Sequence, residues 1–259
     1  MIKHHRNKND YCYANNNFWV RNFTKKFVQE VDINNLVSEA DAQIFIENEI
    51  KNKEKSLQNI NTESFEHKKI IITSKFDESF NELKEDVAII GINDVLHDWN
   101  VNKKMSYYNV NNPYENCLGF LSNYYPKCVA STRTYYKFVE KYKNLVYEYT
   151  PVGGNIKSTG YSIDDYRNVV CAAIGLAYRF KVNKLFLFNC EEVFKEFRPS
   201  SEKTEDGFYI YPQQKIAHNL IDANLYWLKS IGIKIGVSGL KYKNATYIST
   251  SNLGIFFNE

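Results

Sequence analysis

The segment 160–192 constrains the fold most, because it joins a helix that is apolar on nearly every face to an apolar strand. The helical part covers 169–180, and after a Lys-Val-Asn turn the run 184–189 has the length and composition of a buried strand. Such pairs are typical of parallel sheets covered on both faces. The segment therefore predicts an α/β protein with a Rossmann-like, mostly parallel sheet. Asp164 and Asp165 stand where this helix would take its N-cap.

Other short apolar runs are rich in β-branched residues and predict further strands at 69–73, 86–91, 105–110, 127–130, 146–150 and 233–237. A helix is predicted over 212–231, because Pro212 suits its first turn and Gly232 its end. The runs 245–250 and 254–257 predict a closing hairpin. The polar segment 191–207 has the length of a lid or binding loop.

Residues 1–60 predict a helical N-terminal extension, and 61–259 the α/β domain. The clearest helix of the extension is expected at 39–57, where an apolar stripe runs through Ala42, Ile46, Ile50 and Leu57.

Composition argues against several classes of partner. The 33 basic and 30 acidic side chains are mixed along the chain and give a net charge of +3, so there is no strong signal for nucleic-acid binding. No stretch approaches the roughly 20 apolar residues of a membrane span, and the first seventeen residues lack the apolar core of a signal peptide. The five cysteines are scattered without metal-ligand spacing. We expect reduced cysteines and a cytoplasmic protein without a membrane span.

Small polar residues follow most of the predicted strands. Because parallel strands end at the same edge of a sheet, these side chains should gather where open α/β sheets bind ligands. They are Asn93, Asp94, Asn111, Asn112, Ser131, Thr132, Arg133, Glu191 and Glu192. Each also fits ordinary turn chemistry.

The helix predicted at 212–231 carries the best candidate for a general base. His218 lies on its polar face with Gln214 one turn before it and Asp222 one turn after it, and a carboxylate there would raise the basicity of the imidazole. The alternative is a solvent-facing polar surface. Glu191 could hold a divalent cation or a sugar hydroxyl, or simply begin a loop.

Phosphate binding has a weaker signal, because the chain lacks both GxGxxG and GxxxxGK[ST]. A small-residue loop containing Ser158 and Thr159 leads towards the apolar helix and offers donors for a phosphate. Asp164 and Asp165 would repel phosphate there unless a cation or Arg167 intervenes.

The run from 69 to about 237 resembles the Rossmann-like MptE-like superfamily, which includes archaeal 6-hydroxymethylpterin diphosphokinases, and is similar to bacterial CMP-sialic acid-dependent sialyltransferases. The resemblance lies in IIGIND (89–94), YYNVNNPYE (107–115), VVCAAIGLAYRF followed by LFLFNCEE, and the late helix with His218. It implies nucleotide binding by Asn93 and Asn112 and a histidine base. Where the family's first loop reads Gly-Pro-Ser-Leu, this chain has Thr-Ser-Lys-Phe-Asp-Glu-Ser, and asparagines rather than carboxylates follow Val110. Neutral amides are poor magnesium ligands, which favours metal-independent chemistry.

We therefore expect a transferase that uses a nucleotide-activated donor and a hydroxyl acceptor, with a sialyltransferase-like glycosyltransferase as the best guess and no required cofactor. The expected roles are catalysis by His218, Asp222 and Glu191; nucleotide binding by Asn93, Asp94, Asn111, Asn112, Ser158 and Thr159; and substrate binding by Arg133, Asp165, Arg167 and Gln214. The alternatives are an ATP- and Mg-dependent diphosphokinase-like enzyme and a non-catalytic nucleotide-binding module.

Overall fold

A computed structural model describes residues 39–53, 66–151, 161–163, 168–191, 199–204, 207, 209–210, 212–239 and 242–258. Its strands are β1 Lys69–Thr73, β2 Val87–Ile92, β3 Tyr107–Val110, β4 Cys128–Ser131, β5 Leu145–Pro151, β6 Tyr161–Ile163, β7 Lys184–Phe188, β8 Glu202–Lys203, β9 Tyr209–Ile210, β10 Lys234–Ser238 and β11 Thr246–Tyr247. All except β8 and β9 form one parallel sheet in the order β11-β10-β7-β1-β2-β3-β4-β5-β6. β8 and β9 form a separate antiparallel pair.

The described α-helices are α1 Glu39–Lys53, α2 Tyr136–Lys141, α3 Val169–Arg179, α4 Pro212–Ser230 and α5 Leu253–Asn258, and short 3-10 helices lie at Glu78–Glu82, Glu115–Phe120 and Thr250–Asn252. None of the described helices is both long and apolar enough to cross a bilayer.

Two hydrophobic cores cover the two faces of the sheet, and strands β1, β2, β3, β4 and β7 supply side chains to both. In β1, Ile70 and Ile72 pack into the core that contains α3 and α4, whereas Ile71 packs into the core that contains α2 and α5. In β7, Leu185 and Phe186 divide in the same way. Strands buried on both faces are near-continuous apolar runs. The predicted Rossmann-like α/β fold with a parallel sheet is therefore confirmed.

Most predicted elements have the expected position. The six further predicted strands, the apolar strand of the opening segment and the helices predicted at 169–180 and 212–231 begin and end within two residues of the prediction. β6 was not predicted, because it has only three residues and follows a polar loop. The predicted loop 191–207 contains the short strand β8, and residues 192–198 lie outside the described residues.

The predicted N-cap of α3 is wrong. The helix begins at Val169, and the cap is Asn168, whose Oδ1 accepts hydrogen bonds from the backbone N–H groups of Val170 at 2.8 Å and Cys171 at 3.1 Å. An N-cap side chain must lie next to the first helical residue to reach these donors. Asp164 and Asp165 precede that position and lie outside the described residues.

The predicted closing hairpin is also wrong. β11 pairs parallel with β10, and the last apolar run belongs to α5 instead of a strand. Leu253 and Phe257, four residues apart, are 1% and 2% exposed, whereas Ile255 between them is 56% exposed. This spacing places Leu253 and Phe257 on one helical face. The run 254–257 alone is too short to distinguish this period from that of a strand.

α1 forms where the sequence predicts a helix, but it buries a different face. Ile50 of the predicted apolar stripe is 47% exposed, whereas Phe45, Asn48, Glu49 and Asn52 are at most 2% exposed. The helix therefore packs on the α/β domain mainly through polar side chains. The proposed domain boundary near residue 60 lies outside the described residues and stays a prediction.

Candidate functional site

The sheet has a topological switch point between β1 and β7. From β1 the strands run through β2 towards β6 on one side, and after β6 the chain crosses through α3 to β7, β10 and β11 on the other side. The connections leaving β1 and β7 therefore diverge at the carboxyl edge of the sheet. Doubly wound α/β proteins bind ligands in the crevice that such divergence creates.

Polar contacts join the two strand ends at this point. The Ser74 hydroxyl donates to the Asn189 carbonyl at 2.5 Å, and Asn189 Nδ2 donates to Ser74 Oγ at 2.9 Å. Asn189 adopts a left-handed conformation with φ 53°. Asparagine tolerates that region better than most residues, because its short polar side chain can bond locally. The end of β7 is thus fixed against the end of β1.

Glu191 lies between the ends of β7 and β10. Its Oε1 is 1.5 Å from the position that a Cβ on Gly239 would occupy, and Gly239 has φ +106°. Both the space and the backbone conformation therefore require glycine at 239. Glu191 itself is half-buried.

His218 is held beside the same strand end by an aromatic neighbour. Its ring stacks on Tyr242 with centroids 4.9 Å apart and planes inclined by 20°. The buried Tyr242 hydroxyl donates to the Cys190 carbonyl at 2.7 Å, next to Glu191. Through these contacts the predicted base and the predicted acidic residue belong to one region. We call Ser74, Asn189, Glu191, His218 and Tyr242 the switch-point cluster.

Asp222 contacts a different neighbour from the one predicted. Its Oδ1 accepts from the Asn244 backbone N–H at 3.1 Å, and its Oδ2 accepts from Asn244 Nδ2 at 2.7 Å. These bonds connect α4 to the loop before β11. The expected role of Asp222 in orienting His218 stays a prediction.

The predicted nucleotide-binding side chains differ in their surroundings. Asn93 has φ 56° and, like Asp94, is exposed at the end of β2. Because neighbouring strands lie about 4.8 Å apart, the end of β2 is about 10 Å from the end of β7. At the end of β3, Asn112 Oδ1 accepts from the Tyr114 backbone N–H at 2.9 Å, which is turn chemistry, and Asn111 is half-buried.

Several predicted residues lie beyond what the structure describes. Ser158, Thr159, Asp165 and Arg167 are outside the described residues. The backbone of Gln214 belongs to the first turn of α4, one turn before His218, but its side chain is not described.

Arg133 belongs to a second polar cluster at the carboxyl edge, beneath α1. Its Nε donates to Glu49 Oε1 at 2.9 Å, and the two side chains are only 9% and 0% exposed. Asn48 Nδ2 donates to the carbonyls of Pro113 at 2.9 Å and Arg133 at 3.2 Å. Asn52 Nδ2 donates to the Thr132 carbonyl at 3.0 Å. We call Asn48, Glu49, Asn52, Thr132 and Arg133 the α1 junction.

Comparisons of the chain with protein-family models, curated proteins and solved structures found no match. No residue role is therefore transferred from a relative.

Some residues in or beside the two clusters were not predicted. Gly239 directly follows an apolar strand, which is a usable signal because glycine at a strand end often permits a close approach. Tyr242 had no such signal. Glu49 and Asn52 were missed because polar residues of an amphipathic helix normally face solvent. Among the described residues, no group of three or more histidine, cysteine, aspartate or glutamate side chains is arranged to hold a metal ion.

Proposed function

We propose that this chain is a transferase that binds a nucleotide-activated donor across the carboxyl ends of β7, β1 and β2. The topological switch point between β1 and β7 carries the proposal, because such crevices bind nucleotides in many doubly wound folds. The exposed Asn93 and Asp94 are suitably located to contact the nucleotide. Ser158 and Thr159 remain candidates for contacts with the phosphate.

In the proposed reaction, His218 accepts the proton of the acceptor hydroxyl. The hydroxyl oxygen forms a bond to the transferred carbon of a sugar donor, and the bond from that carbon to the phosphate oxygen breaks. The nucleotide leaves with that electron pair. A positioned histidine contributes about 10²–10⁴-fold to such a step. Glu191 would bind a hydroxyl group of the sugar.

Nucleotide binding is tested first, by thermal unfolding of the full chain with CMP, UDP, GDP and ATP. A nucleotide at roughly a hundredfold excess over its Kd stabilises the folded state by about 2.7 kcal/mol. No shift with any of the four would contradict nucleotide binding.

The role of His218 is tested by His218→Ala in a transfer assay with the sugar nucleotide of the base that binds. We expect kcat to fall about 10²–10⁴-fold while the nucleotide-induced thermal shift is kept. His67→Asn is the matched control, because His67 precedes β1 at the opposite edge of the sheet. Full turnover of the His218 variant would exclude it as the base.

Two other outcomes identify the alternative functions. Loss of activity on adding EDTA, with ATP as the donor, would support pyrophosphoryl transfer dependent on magnesium. A nucleotide-induced shift without turnover of any donor would support a non-catalytic binding module.

A further inference from the structure

The α1 junction is unusual because a helix buries its polar face on the protein. Asn48, Glu49 and Asn52 are 1–2% exposed, whereas Ile50 is 47% exposed. Burying amide and carboxylate groups is unfavourable unless each polar atom has a partner. The junction also lies at the carboxyl edge, beyond the ends of β3 and β4, where parallel sheets bind ligands. Burial of this face therefore requires partners for its polar atoms.

Three buried polar atoms of the junction have no hydrogen-bond partner in the described part of the chain. They are Asn52 Oδ1, Thr132 Oγ1 and Arg133 Nη2. Their residues are 1%, 3% and 8% exposed. Most buried polar atoms in folded proteins are paired, so several orphans in one place require an explanation.

The three residues are neighbours. Asn52 Nδ2 donates to the carbonyls of Thr132 at 3.0 Å and Thr134 at 2.8 Å, and Arg133 lies between these two residues in the chain. Glu49, which pairs with Arg133, is one helical turn before Asn52. One turn of α1 and one short loop after β4 thus carry all three orphan atoms.

The chemistry of these atoms selects a class of ligand. Asn52 Oδ1 only accepts, Arg133 Nη2 only donates, and Thr132 Oγ1 does both. A hydroxyl group both donates and accepts, so it can satisfy either kind of atom. The charge of Arg133 is already balanced by Glu49, and an anion would meet that carboxylate.

We propose that the α1 junction binds hydroxyl groups of a neutral, polyhydroxylated ligand such as a sugar. The site lies beyond the ends of β3 and β4 and does not rest on the proposed transferase activity. Nucleotide binding is measured separately, so either proposal can fail alone.

Two neighbouring threonines provide a matched pair of variants. Thr132→Val removes an orphan hydroxyl, so the fold should be at least as stable as the wild type. Thr134→Val removes a hydroxyl that donates to the Val110 carbonyl at 3.1 Å, so the fold should be less stable without any change in the ligand site. Valine has nearly the shape of threonine in both cases.

Binding is measured by ligand-observed NMR titration of the full chain with D-ribose, lactose and myo-inositol, and inorganic phosphate serves as the anionic comparison. We expect at least one polyol to bind saturably to the wild type and to Thr134→Val. The Kd of that polyol should be about tenfold larger for Thr132→Val, because one buried hydrogen bond to the ligand is lost. Phosphate should not compete.

Three results would overturn the proposal. One is no saturable binding of any of the three polyols. Another is equal binding by Thr132→Val and the wild type, as expected if only buried water occupies the junction or if the polyol binds elsewhere. The third is competition by phosphate, which would indicate an anion site.

Discussion

At the scale of single residues, the ends of the strands depend on conformations that few side chains tolerate. Asn93 and Asn189 have φ of 56° and 53° after β2 and β7, and Gly239 has φ +106° after β10. The left-handed region turns the chain away from the sheet soon after each strand ends.

Gly239→Ala should destabilise the protein by about 1–3 kcal/mol, because alanine is strained at this φ and its Cβ would displace the Glu191 carboxylate. Gly254→Ala is the control, because Gly254 lies in α5 and a Cβ added there would have no other atom within 4 Å. The free energy of unfolding of Gly254→Ala should rise by up to about 1 kcal/mol, because alanine has a higher helix propensity than glycine. Urea denaturation measures both variants, and equal effects at the two positions would contradict the role of Gly239.

At the scale of elements, α1 shows that a correct helix prediction does not identify its buried face. The apolar stripe through Ile50 suggested the usual amphipathic packing. In the folded chain, the donors of Asn48 and Asn52 instead bond to backbone carbonyls of the loops that follow β3 and β4. These carbonyls lie outside the strands, beyond the ends of β3 and β4.

Glu49→Ala should destabilise the protein by about 3–5 kcal/mol, because it leaves the buried Arg133 guanidinium without its carboxylate. The double variant Glu49→Leu with Arg133→Met should recover most of that loss, since no buried charge remains. Urea midpoints of the three proteins provide the comparison. A loss below about 1 kcal/mol for Glu49→Ala would mean that the pair behaves like a surface salt bridge.

At the scale of the whole molecule, β1 lies inside a sheet that the chain builds outwards in two directions, with three strands on one side of β1 and five on the other. The two cores on its faces include four buried cysteines, Cys117, Cys128, Cys171 and Cys190, none of which forms a disulfide. Burial raises the pKa of Cys117 to about 12 and raises the pKa of Cys128 well above its usual range. Thiol chemistry at these positions should therefore report on opening of the fold.

We expect the four buried cysteines to react with a thiol reagent at least on the order of a thousandfold more slowly in the native protein than in urea. A stability of about 5 kcal/mol or more limits the open population by that factor. Mass spectrometry after digestion resolves each cysteine. If any of the four cysteines reacts as fast in the native protein as in urea, the structure around that cysteine opens locally.

The sequence alone determined the class of the fold, because strands buried on both faces are near-continuous apolar runs and their order with the helices predicts a parallel sheet. It also predicted that His218 and Glu191 are site residues, which stays a prediction, and the fold places both near the end of β7 through Tyr242. Their chemical roles stay predictions.

Only the tertiary structure decided which faces and neighbours these elements have. The order of strands around β1 comes from long-range pairing, which no local pattern encodes. The polar face of α1 is buried because of loops more than sixty residues away, and Gly239 is required because of the Glu191 carboxylate. Local propensity fixes helices and strands, whereas sites depend on contacts between residues far apart in the chain.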